Sequence, residues 1–460
     1  SMALGPTYVP LNYRLSAGEL ANVAAWADLD VLFVGDRYRP ILDEVLSTSA
    51  RRPHVGSLGG DGPWSVAALV GAEEDGSPVV STTEWEDVVG LMFTSGTTGR
   101  PKGVMQPMRM VDRVTLSGVL DFRLRRDEFR YSASPMFHVA GLGCVYYGIA
   151  RGFASLVLPQ FDVDALLRWM QRGLTGFLAM PTMLRQLLDH PDVRTTSYPR
   201  LRSIAYGGAP MSVPMVRELL DVFGCDLFNS FGAGTEAGGQ TMLYPEDHLR
   251  ALDGAGHLLG SIGRPMYGVE LRLCDDDLND VPAGEIGEIV TRSNTVMSGY
   301  LDDPDGTAGS VVDGWFRAGD MARMDDEGYL YLATRKSDMI IRGGENVYPL
   351  EIEAVVREHD GVGDVAVIGA PDAHWGEVVV AVVVPAPGHV LDADAIRAHC
   401  RAHLAAYKVP ARVVATDALP RNANGKIQKH LLRHLAAIEA EPVPAPAPVS
   451  TTVPTTEESP

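Results

Sequence analysis

The spacing of apolar and polar positions divides the chain, as far as Ile286, into short apolar runs that alternate with amphipathic stretches. Apolar runs bounded by turn-forming residues predict buried strands, and apolar positions at helical spacing predict helices. The predicted strands are Val31–Val34, Val88–Phe93, Phe129–Ala133, Ala154–Leu158, Gly176–Met180, Ser203–Tyr206 and Cys225–Phe228, and the predicted helices lie near Glu19–Trp26, Tyr38–Leu46, Asp162–Arg172 and Val213–Phe223. This alternation predicts parallel sheets covered by helices, and we expect the signature segments described below to gather at the carboxyl ends of their strands.

From Ile286 onward the pattern changes to short strands, which predict a small β-barrel-like part. A compact α+β unit then follows. The predicted strands are Glu288–Arg292, Tyr329–Ala333, Val365–Ile368, Val378–Val384 and Arg412–Ala415, and the predicted helices are Leu350–Glu358 and Ala393–Leu404. The predicted class is therefore α/β, with a large domain over residues 1–334 and a small mobile α+β domain over residues 339–435. Residues 436–460 are rich in Pro, Ala and Thr and are predicted to be disordered.

The composition is that of a globular enzyme with two or more domains: the chain has 460 residues, of which 46% are hydrophobic and 21% are charged. Gly, Pro or charged residues interrupt every apolar run before it reaches membrane-spanning length, and no basic start precedes an apolar stretch. We therefore expect a cytoplasmic protein without a transmembrane segment. The four cysteines, Cys144, Cys225, Cys274 and Cys400, are far apart in the chain, so neither a disulfide framework nor a zinc site is predicted.

The formal net charge of −20 opposes binding to nucleic acid and to anionic lipid. The negative net charge also opposes the binding of ATP or coenzyme A unless positive groups are concentrated locally. Lys102, Arg335 and Lys426 are candidates for that concentration. We interpret the acidic excess itself as a solubility feature, and the sequence leaves a homo-oligomer open.

A segment rich in glycine and hydroxyl groups follows the predicted strand Val88–Phe93. It reads Thr94-Ser95-Gly96-Thr97-Thr98-Gly99-Arg100-Pro101-Lys102-Gly103. Glycines let successive backbone N–H groups converge, the hydroxyls add donors and Lys102 adds a positive charge, which together suit a polyphosphate. The spacing is not that of the Walker-type nucleotide loop, because no Ser or Thr follows Lys102. The alternative interpretation is a solvated turn.

This segment resembles the phosphate-binding signature of the adenylate-forming enzymes, a superfamily that includes acyl-CoA synthetases, peptide-synthetase adenylation domains and beetle luciferases. The resemblance implies that the phosphates of ATP are bound by Thr94, Ser95, Gly96, Thr97, Thr98, Gly99 and Lys102. It begins at Tyr8–Asn12, inside the family's large domain, so we expect the usual opening helices and strands of the family to be absent. From there it covers nearly the whole chain up to the tail.

Two further signature segments follow predicted strands. Pro135-Met136-Phe137-His138 contains a histidine that, taken alone, is more often structural than catalytic. The resemblance implies that His138 lies against the acyl site and can gate it. Tyr206-Gly207-Gly208-Ala209-Pro210 could by itself be a plain turn. The resemblance implies that Gly208, Ala209 and Pro210 border the adenine and the acyl pocket.

The segment Phe231-Gly232-Ala233-Gly234-Thr235-Glu236 combines an aromatic face, a hydroxyl and a carboxylate. These groups suit adenine stacking, a phosphate hydrogen bond and a Mg²⁺ ligand respectively. The segment resembles the family's aromatic-Gly-x-Thr-Glu motif, with one additional residue before Thr235. We predict that Phe231 and Gly232 bind the nucleotide, that Thr235 and Glu236 are catalytic, and that Glu236 also binds the metal. An ordinary surface acid is the alternative for Glu236.

Two signatures lie near the predicted domain boundary. Trp315-Phe316-Arg317-Ala318-Gly319-Asp320 resembles the family's aromatic-Arg-Thr-Gly-Asp motif, with Ala318 in place of Thr. It implies that Asp320 accepts hydrogen bonds from the ribose hydroxyls, the alternative being a turn. The resemblance also implies that Arg335 contacts ribose or phosphate and that residues 335–338 form a hinge. Its pivot is Ser337, where the family usually has Asp or Lys.

The last two signatures lie in the predicted small domain. Gly343-Gly344 resembles the loop that lines the tunnel for the thiol, and is assigned to coenzyme A. Pro420-Arg421-Asn422-Ala423-Asn424-Gly425-Lys426 resembles the final signature of the family, whose lysine bridges carboxylate and phosphate. A Gly-Lys pair alone usually marks an exposed turn. Together with the other motifs it predicts that Lys426 is catalytic.

The residues and the resemblance together predict an acyl-CoA synthetase. A small-molecule carboxylic acid would attack the α-phosphate of ATP, with Mg²⁺ as cofactor, and the thiol of coenzyme A would then displace AMP from the acyl-adenylate. Two alternatives stay open: an adenylation enzyme that loads a carrier protein or an amine, and a nucleotide-binding pseudoenzyme. The acid is not identified. Glycines suggest an uncrowded pocket for an aromatic or medium-length acyl group, namely Gly141, Gly143, Gly207, Gly208, Gly232 and Gly234.

Overall fold

The computed structural model describes residues 6–59, 64–71, 81–94, 101–208, 211–372, 374–421 and 427–438. Contacts between residues divide the chain into two compact units, residues 1–332 and 333–460.

The first unit opens with short helices and a pair of parallel strands. These elements are α1 (Ala17–Trp26), β1 (Val31–Val34), α2 (Leu42–Val45), β2 (His54–Ser57) and α3 (Val66–Gly71). Helix α1 begins at a capping box, in which Ser16 and Glu19 each accept a hydrogen bond from the other's backbone N–H. The helix predicted near Tyr38–Leu46 is a 3₁₀ turn over Asp36–Ile41 that continues into the short α2. Pro40 lacks the N–H that a longer α-helix would need there.

An antiparallel hairpin follows, formed by β3 (Val88–Thr94) and β4 (Lys102–Pro107). Thr94 and Lys102 face each other in register, and a short strand, Gly299–Tyr300, extends the sheet on the other side of β4. The predicted phosphate segment therefore joins two antiparallel strands. The expectation that it would end a strand of a parallel sheet is wrong, because the neighbour of β3 is the strand that follows it directly. Residues 95–100 of this segment lie outside the described residues.

A mostly parallel sheet of seven strands forms the centre of the first unit. In chain order its elements and their helices are α4 (Met108–Asp121), β5 (Phe129–Ser132), α5 (Val139–Arg151), β6 (Ala154–Leu156), α6 (Val163–Gln171), β7 (Gly176–Ala179), α7 (Pro181–Leu188), β8 (Ser203–Tyr206), α8 (Val213–Phe223), β9 (Asp226–Phe231), α9 (Gly234–Ala237), β10 (Thr241–Leu243), α10 (Pro245–Leu252) and β11 (Arg264–Pro265). The strand order is β11-β10-β9-β8-β7-β5-β6. The five strands from β9 to β6 in this order are parallel, whereas β10 and β11 are antiparallel to their neighbours.

Both faces of this sheet are buried, because successive strand residues alternate between two apolar clusters. Phe177, Ile204 and Leu227 pack on one face with side chains of α6, α7 and α8, and Ala205 and Phe228 pack on the other. Since β5, β8 and β9 are parallel, the segments that follow them emerge at one edge. The predicted gathering of these three signature segments at carboxyl ends of parallel strands is confirmed.

The first unit ends in a second sheet. Its strands are β12 (Glu270–Cys274), β13 (Ile286–Arg292), β15 (Val311–Val312), β16 (Trp315–Met324) and β17 (Leu330–Arg335), while the Gly299–Tyr300 strand is β14 and α11 spans Pro304–Ser310. The strands β12, β13, β16 and β15 are antiparallel neighbours. Strand β17 pairs with β16 and runs from one unit into the other.

The second unit is an α+β sandwich. Its elements are β18 (Ile340–Arg342), β19 (Glu345–Val347), α12 (Pro349–Arg357), β20 (Val362–Asp372), β21 (Gly376–Pro385), α13 (Ala393–His403), β22 (Arg412–Ala415) and α14 (Lys429–Ile438). Strands β20 and β21 are buried on both faces: Val365 and Val367 pack with α12 and α13, and Ala366 and Ile368 pack on the side of α14. The predicted α/β class with a large first part and a small α+β second part is confirmed. In the part of the chain that the structure describes, no helix is long and apolar enough to cross a membrane.

A pair of leucines tests the assigned core. Leu219 of α8 is fully buried, whereas Leu249 of α10 is 60% exposed. We expect Leu219→Ala to lower the free energy of unfolding of the first unit by about 2–5 kcal/mol, since it removes buried methyl groups and leaves a cavity. Leu249→Ala should change it by less than about 0.5 kcal/mol. Urea denaturation measures both, and equal losses in the two variants would contradict the assigned core.

Candidate active site

Lys102 stands at the start of β4, where backbone pairing fixes its position. Its Nζ lies 4.3 Å from the centroid of the Tyr300 ring, a cation–π contact. Tyr300 belongs to β14 and pairs with Val104 of β4, so one small sheet holds both side chains. This sheet therefore fixes the position of the positive charge of Lys102, near the carboxyl end of the predicted phosphate segment.

The backbone of Thr235 and Glu236 is held to the same sheet. The Nε2 of Gln106, in β4, donates to the Thr235 carbonyl at 2.9 Å, and the Met297 N–H donates to the Glu236 carbonyl at 2.7 Å. The Gln106 side chain is buried, and its Oε1 accepts a hydrogen bond from the Tyr8 hydroxyl at 3.1 Å. The side chains of Thr235 and Glu236 therefore stand on a fixed backbone.

The negative charge of Glu236 affects the pKa of the Tyr300 hydroxyl. Burial raises the pKa of Tyr300 to about 12, and the negative charge of Glu236 adds to the rise. The Lys102 ammonium contacts the ring of the same tyrosine. A positive group and a carboxylate that both interact with Tyr300 are group types that suit a magnesium polyphosphate.

Close approaches of neighbouring atoms, backbone in one case and side chain in the other, explain two glycines of this segment. A Cβ on Gly232 would lie 2.5 Å from the Gly238 carbonyl oxygen and 2.7 Å from the Gln240 nitrogen. A Cβ on Gly234 would lie 2.9 Å from Cγ2 of Val139, the first residue of α5. The segment that carries Thr235 therefore packs directly against the start of α5.

His138 caps helix α5. Its Nδ1 accepts a hydrogen bond from the Ala140 N–H at 3.2 Å, which satisfies one of the free donors at the helix start. In the neutral ring the proton is then on Nε2. Val139, the next residue, lies against Gly234 of the Thr235 segment. The structure thus gives His138 the structural role that was the alternative, while its gating role stays a prediction.

Strand β8 ends at a backbone that only glycine can form. Gly208 has a φ of +82°, in the left-handed region, and a Cβ on Gly207 would lie 2.8 Å from the Ser230 carbonyl oxygen of β9. The end of β8 therefore lies against the end of β9, where Phe231 follows. Ala209 and Pro210 lie outside the described residues.

Asp320 sits at a β-bulge. Glu288 of β13 faces Met321 of β16, but Val290 faces Arg317, so residues 318–320 lie opposite Ile289 alone. Gly319 has a φ of +70°, and Asp320 is buried. The bulge therefore gives this carboxylate a position that regular strand pairing would not.

Ala318 connects this bulge to the rest of the site. It packs in the apolar cluster that contains Ala233, Ala237 and Tyr300. The motif of β16 therefore lies beside the Thr235 segment. Ala318, where the family motif has Thr, fills apolar space in this structure.

The predicted residues of the second unit fall into two places. Gly343 and Gly344 form the two-residue turn between β18 and β19, with φ values of +60° and +89° that suit a type I′ hairpin. The Gly343 N–H donates to the Trp375 carbonyl at 2.7 Å. Arg335 ends β17, and Ser337 lies in the 3₁₀ turn Lys336–Asp338.

Among the residues that the structure describes, the first unit thus brings together most of the site residues that the sequence predicts in it. Lys102, Thr235, Glu236 and His138 are linked by the contacts above, and Phe231, Gly232, Gly208 and Asp320 border the same region. Thr94 ends β3. The predicted residues Ser95, Gly96, Thr97, Thr98, Gly99 and Lys426 lie outside the described residues, as does most of the predicted tail.

Sequence reasoning missed two residues that organise the site, Gln106 and Tyr300. Gln106 interrupts the apolar run Val104–Met105 of β4, and a polar side chain at an inward position of a strand is a usable signal of a buried hydrogen bond. Tyr300 follows Gly299 in a region of turn-forming residues and carries no comparable signal.

With this geometry the class of the protein follows: two units of unequal size, a glycine-rich phosphate segment and a carboxylate on a short loop define an adenylate-forming enzyme. The family described as AMP-binding enzyme matches residues 1–301, and the family described as AMP-binding enzyme C-terminal domain matches residues 351–426. The chain belongs to the AMP-binding enzymes, which confirms the family that the sequence predicts.

Relatives and solved structures agree with this assignment. The feruloyl-CoA synthase of an Amycolatopsis species is 35% identical over 431 residues, which are 93% of this chain and 84% of that protein. The amide bond synthetase McbA from Marinactinospora thermotolerans has a TM-score of 0.85 at 32% identity, over 95% of this chain and 86% of its own. The o-succinylbenzoate CoA synthetase MenE from Bacillus subtilis, solved with ATP and a magnesium ion, has a TM-score of 0.79 at 29% identity, over 93% and 84%. The prediction of ATP and Mg²⁺ agrees with this last complex.

The bond from Gln106 to Thr235 provides a test of the site geometry. We expect Gln106→Leu to weaken the affinity for ATP in the presence of Mg²⁺ by about tenfold, because an unpaired buried carbonyl costs about 1–3 kcal/mol. Isothermal titration calorimetry measures the affinity. Gln171→Leu, the same change at the exposed end of α6, is the matched control. An unchanged affinity in Gln106→Leu would show that the Thr235 segment does not depend on this bond.

Proposed function

We propose that this chain is an AMP-forming acyl-CoA synthetase. A carboxylate attacks the α-phosphate of ATP, the bond from that phosphorus to the bridging oxygen breaks, and acyl-adenylate and pyrophosphate form. The sulfur of coenzyme A then attacks the acyl carbon and AMP leaves. The observation that carries the proposal is the contact of the Lys102 ammonium with the ring of Tyr300, whose β-strand partner β4 also holds the backbone of the Thr235-Glu236 segment through Gln106.

Both reactants of the first step are anions, so charge compensation and positioning dominate the barrier. Lys102 supplies one positive charge at the phosphate segment. In the described residues no three side chains of the metal-binding types come together, which suits the mode in which one or two carboxylates and the phosphates hold Mg²⁺. Glu236 would hold the ion, which when bound neutralises phosphate charge. Thr235 donates a hydrogen bond to a phosphate.

The nucleotide itself would lie across the ends of β8, β9 and β16. Phe231 offers its ring to the adenine, and the glycines at the end of β8 let the base approach the backbone. Asp320 accepts the ribose hydroxyls. The place of Asp320 in the β16 bulge, beside Ala318 of the cluster that contains Ala233 and Tyr300, supports this assignment.

The two steps need different groups at the reacting centre. In the proposed cycle Lys426 bridges carboxylate and phosphate during adenylation, and Arg335 contacts ribose or phosphate. A rotation at Ser337, within a hinge over residues 335–338, then withdraws Lys426 and brings Gly343-Gly344 to the thiol. The rigid type I′ turn of these glycines supports a role as a fixed wall of a narrow passage.

The likeness to the amide bond synthetase McbA gives the amine acceptor specific support as an alternative. Adenylation is the same in both cases, and only the second nucleophile differs. A carrier-protein thiol is a third acceptor. The pseudoenzyme is disfavoured because the sequence retains the key charged residues, among them Lys102, Glu236 and Lys426.

The acid is best sought near His138. A cavity of about 230 Å³ lies beneath the start of α5, and Ser134, Pro135, Gly141 and Cys144 contribute to its walls. This volume suits an aromatic or medium-length acyl group. A Cβ on Gly141 would lie 2.2 Å from the Pro135 carbonyl oxygen. Only glycine therefore lets α5 pack this closely against Pro135 in the wall of the cavity.

A panel of carboxylic acids tests the function. Pyrophosphate release is measured with ATP and Mg²⁺ and, in parallel, with coenzyme A, a phosphopantetheinylated carrier protein or an amine. We expect aromatic and medium-length acids to release pyrophosphate and coenzyme A to accelerate turnover. Acceleration by the amine alone would establish the alternative acceptor, and no release with any acid would refute adenylation.

Replacement of Lys426 tests the two steps separately, because this lysine is proposed to act only in adenylation. We expect Lys426→Ala to slow acid-dependent exchange of pyrophosphate into ATP by about 10²–10³, the usual loss when one charge-stabilising donor is removed. Thioester formation from pre-made acyl-adenylate should survive. Lys408→Ala, which breaks the ion pair with Glu351 in the same unit, is the control and should keep both steps. Unchanged exchange in Lys426→Ala would refute the role of this lysine.

A further inference from the structure

Helix α10 carries two adjacent polar residues that are buried, Asp247 and His248, which are 2% and 1% exposed. Buried polar side chains need hydrogen-bond partners. Tyr244, which precedes the helix, binds both residues: its carbonyl oxygen lies 2.7 Å from the His248 Nδ1, and its N–H donates to the Asp247 Oδ2 at 2.9 Å. The start of the helix therefore fixes both side chains, and the second polar atom of each is left to bind elsewhere.

His248 binds the end of β8. Its Nε2 lies 2.9 Å from the hydroxyl of Tyr206, which is the last residue of that strand and is fully buried. Burial lowers the pKa of His248 to about 4, so the ring is neutral at pH 7. Because its one proton is on Nδ1 and is donated to the Tyr244 carbonyl, Nε2 is the acceptor and the Tyr206 hydroxyl is the donor. This buried bond attaches α10 to the strand that ends directly before Gly207.

Asp247 binds the second sheet of the first unit. The Tyr329 hydroxyl donates to the Asp247 Oδ1 at 2.6 Å, and Tyr329 is fully buried directly before β17. Leu330, the first residue of β17, forms two backbone hydrogen bonds with residues 262–263. Strand β17 pairs with β16, the strand that carries Asp320. The second buried bond therefore attaches α10 to the hairpin of the proposed ribose-binding carboxylate.

Apolar packing supports both bonds. Tyr206, Tyr329 and Ala251 of α10 belong to one buried cluster, so the two tyrosine rings pack in the same core as the helix. Arg250 adds a further contact, because its Nη1 donates to the Tyr329 hydroxyl at 3.0 Å. Loss of either bond between α10 and a tyrosine would deprive a buried polar group of a partner, which is costly. We call the two bonds, from Tyr206 to His248 and from Tyr329 to Asp247, the α10 brace.

We propose that the α10 brace holds the base side and the ribose side of the nucleotide site at a fixed separation, and that Asp247 and His248 are positioning residues for ATP. The glycines that follow β8 let the adenine approach, and Asp320 accepts the ribose hydroxyls. A nucleotide that spans both sides binds best when their separation is fixed before binding, because the site is then already ordered. The assignment of the two sides rests on the proposed function, whereas the brace concerns only contacts within the first unit.

Amide hydrogen exchange of the full chain tests the brace without any nucleotide. His248→Leu removes the acceptor for Tyr206, and the probe is the Leu330 N–H, which donates to the Gly263 carbonyl beside the other end of the brace. We expect exchange at Leu330, relative to exchange at the Phe177 amide of the central strand β7, to be at least about threefold faster in this variant. The comparison with Phe177 separates a local effect from global unfolding.

Two further variants complete the exchange experiment. His248→Gln keeps an acceptor near the position of Nε2 and should restore most of the wild-type exchange ratio at Leu330. Tyr198→Phe is the matched control, because it removes a buried hydroxyl that donates to the Val193 carbonyl in the same apolar cluster, and it should leave the ratio unchanged. A wild-type ratio in His248→Leu, or an equal rise in Tyr198→Phe, would overturn the brace.

Nucleotide affinity, measured by isothermal titration calorimetry, tests the positioning of the two sides. We expect Tyr206→Phe to weaken the binding of ATP with Mg²⁺ by about fivefold and to leave the binding of inorganic tripolyphosphate with Mg²⁺ unchanged, because only the nucleoside spans both sides. Tyr329→Phe should reduce the preference for ATP over 2′,3′-dideoxy-ATP by about threefold. Tyr331→Phe, which removes a hydroxyl that donates to Asp325 in the same hairpin, is the control and should keep the preference.

Equal losses for ATP and tripolyphosphate in Tyr206→Phe would indicate a merely structural role and overturn the positioning of the base side. An unchanged preference in Tyr329→Phe, or an equal reduction in Tyr331→Phe, would overturn the positioning of the ribose side. A wild-type chain without acid-dependent exchange of pyrophosphate into ATP would refute the proposed function, while the amide exchange at Leu330 would still decide the brace.

Discussion

The buried amide of Gln106 is the constraint on which the site of the first unit depends. It lies in an otherwise apolar strand, where an unpaired amide would be costly, and it is satisfied by the Tyr8 hydroxyl and the Thr235 carbonyl. These two bonds connect the start of the first unit, the β3–β4 hairpin and the segment after β9. The same sheet carries Lys102 and Tyr300. One small sheet therefore holds both the Lys102 ammonium and, through Gln106, the backbone of the Thr235 segment.

The two units hold their functional groups by different means. In the first unit, neutral hydrogen bonds to backbone carbonyls and close glycine contacts give a directional, short-range fit that suits a site of fixed geometry. In the second unit, ion pairs and one buried leucine attach α14 to its sheet. These contacts lie within the second unit and do not depend on the first.

The distribution of charge around the proposed site is a second feature of the structure. The chain carries a net charge of −20, yet its proposed substrates are anions. The ammonium group of Lys102 lies over an aromatic ring. A ring neutralises less of this positive charge than a carboxylate partner would, so more of the charge is available to a ligand. The acids of the site, Glu236 and Asp320, are assigned to a metal ion and to ribose hydroxyls, so neither has to face a bare phosphate. The acidic excess elsewhere then affects approach and solubility more than the chemistry.

The sequence by itself determined the local elements, the family and the order of the signature segments. Apolar periodicity identified β8, α8 and β22 to the residue, because in each the apolar pattern ends at turn-forming or polar residues. It did not reveal that the phosphate segment joins antiparallel strands. Only the tertiary structure decided that Gln106 meets Thr235, 129 residues away, and that Arg433 meets Ser337, 96 residues away. Such contacts arise from the way whole elements pack, and no local pattern of residues encodes which side chains will meet.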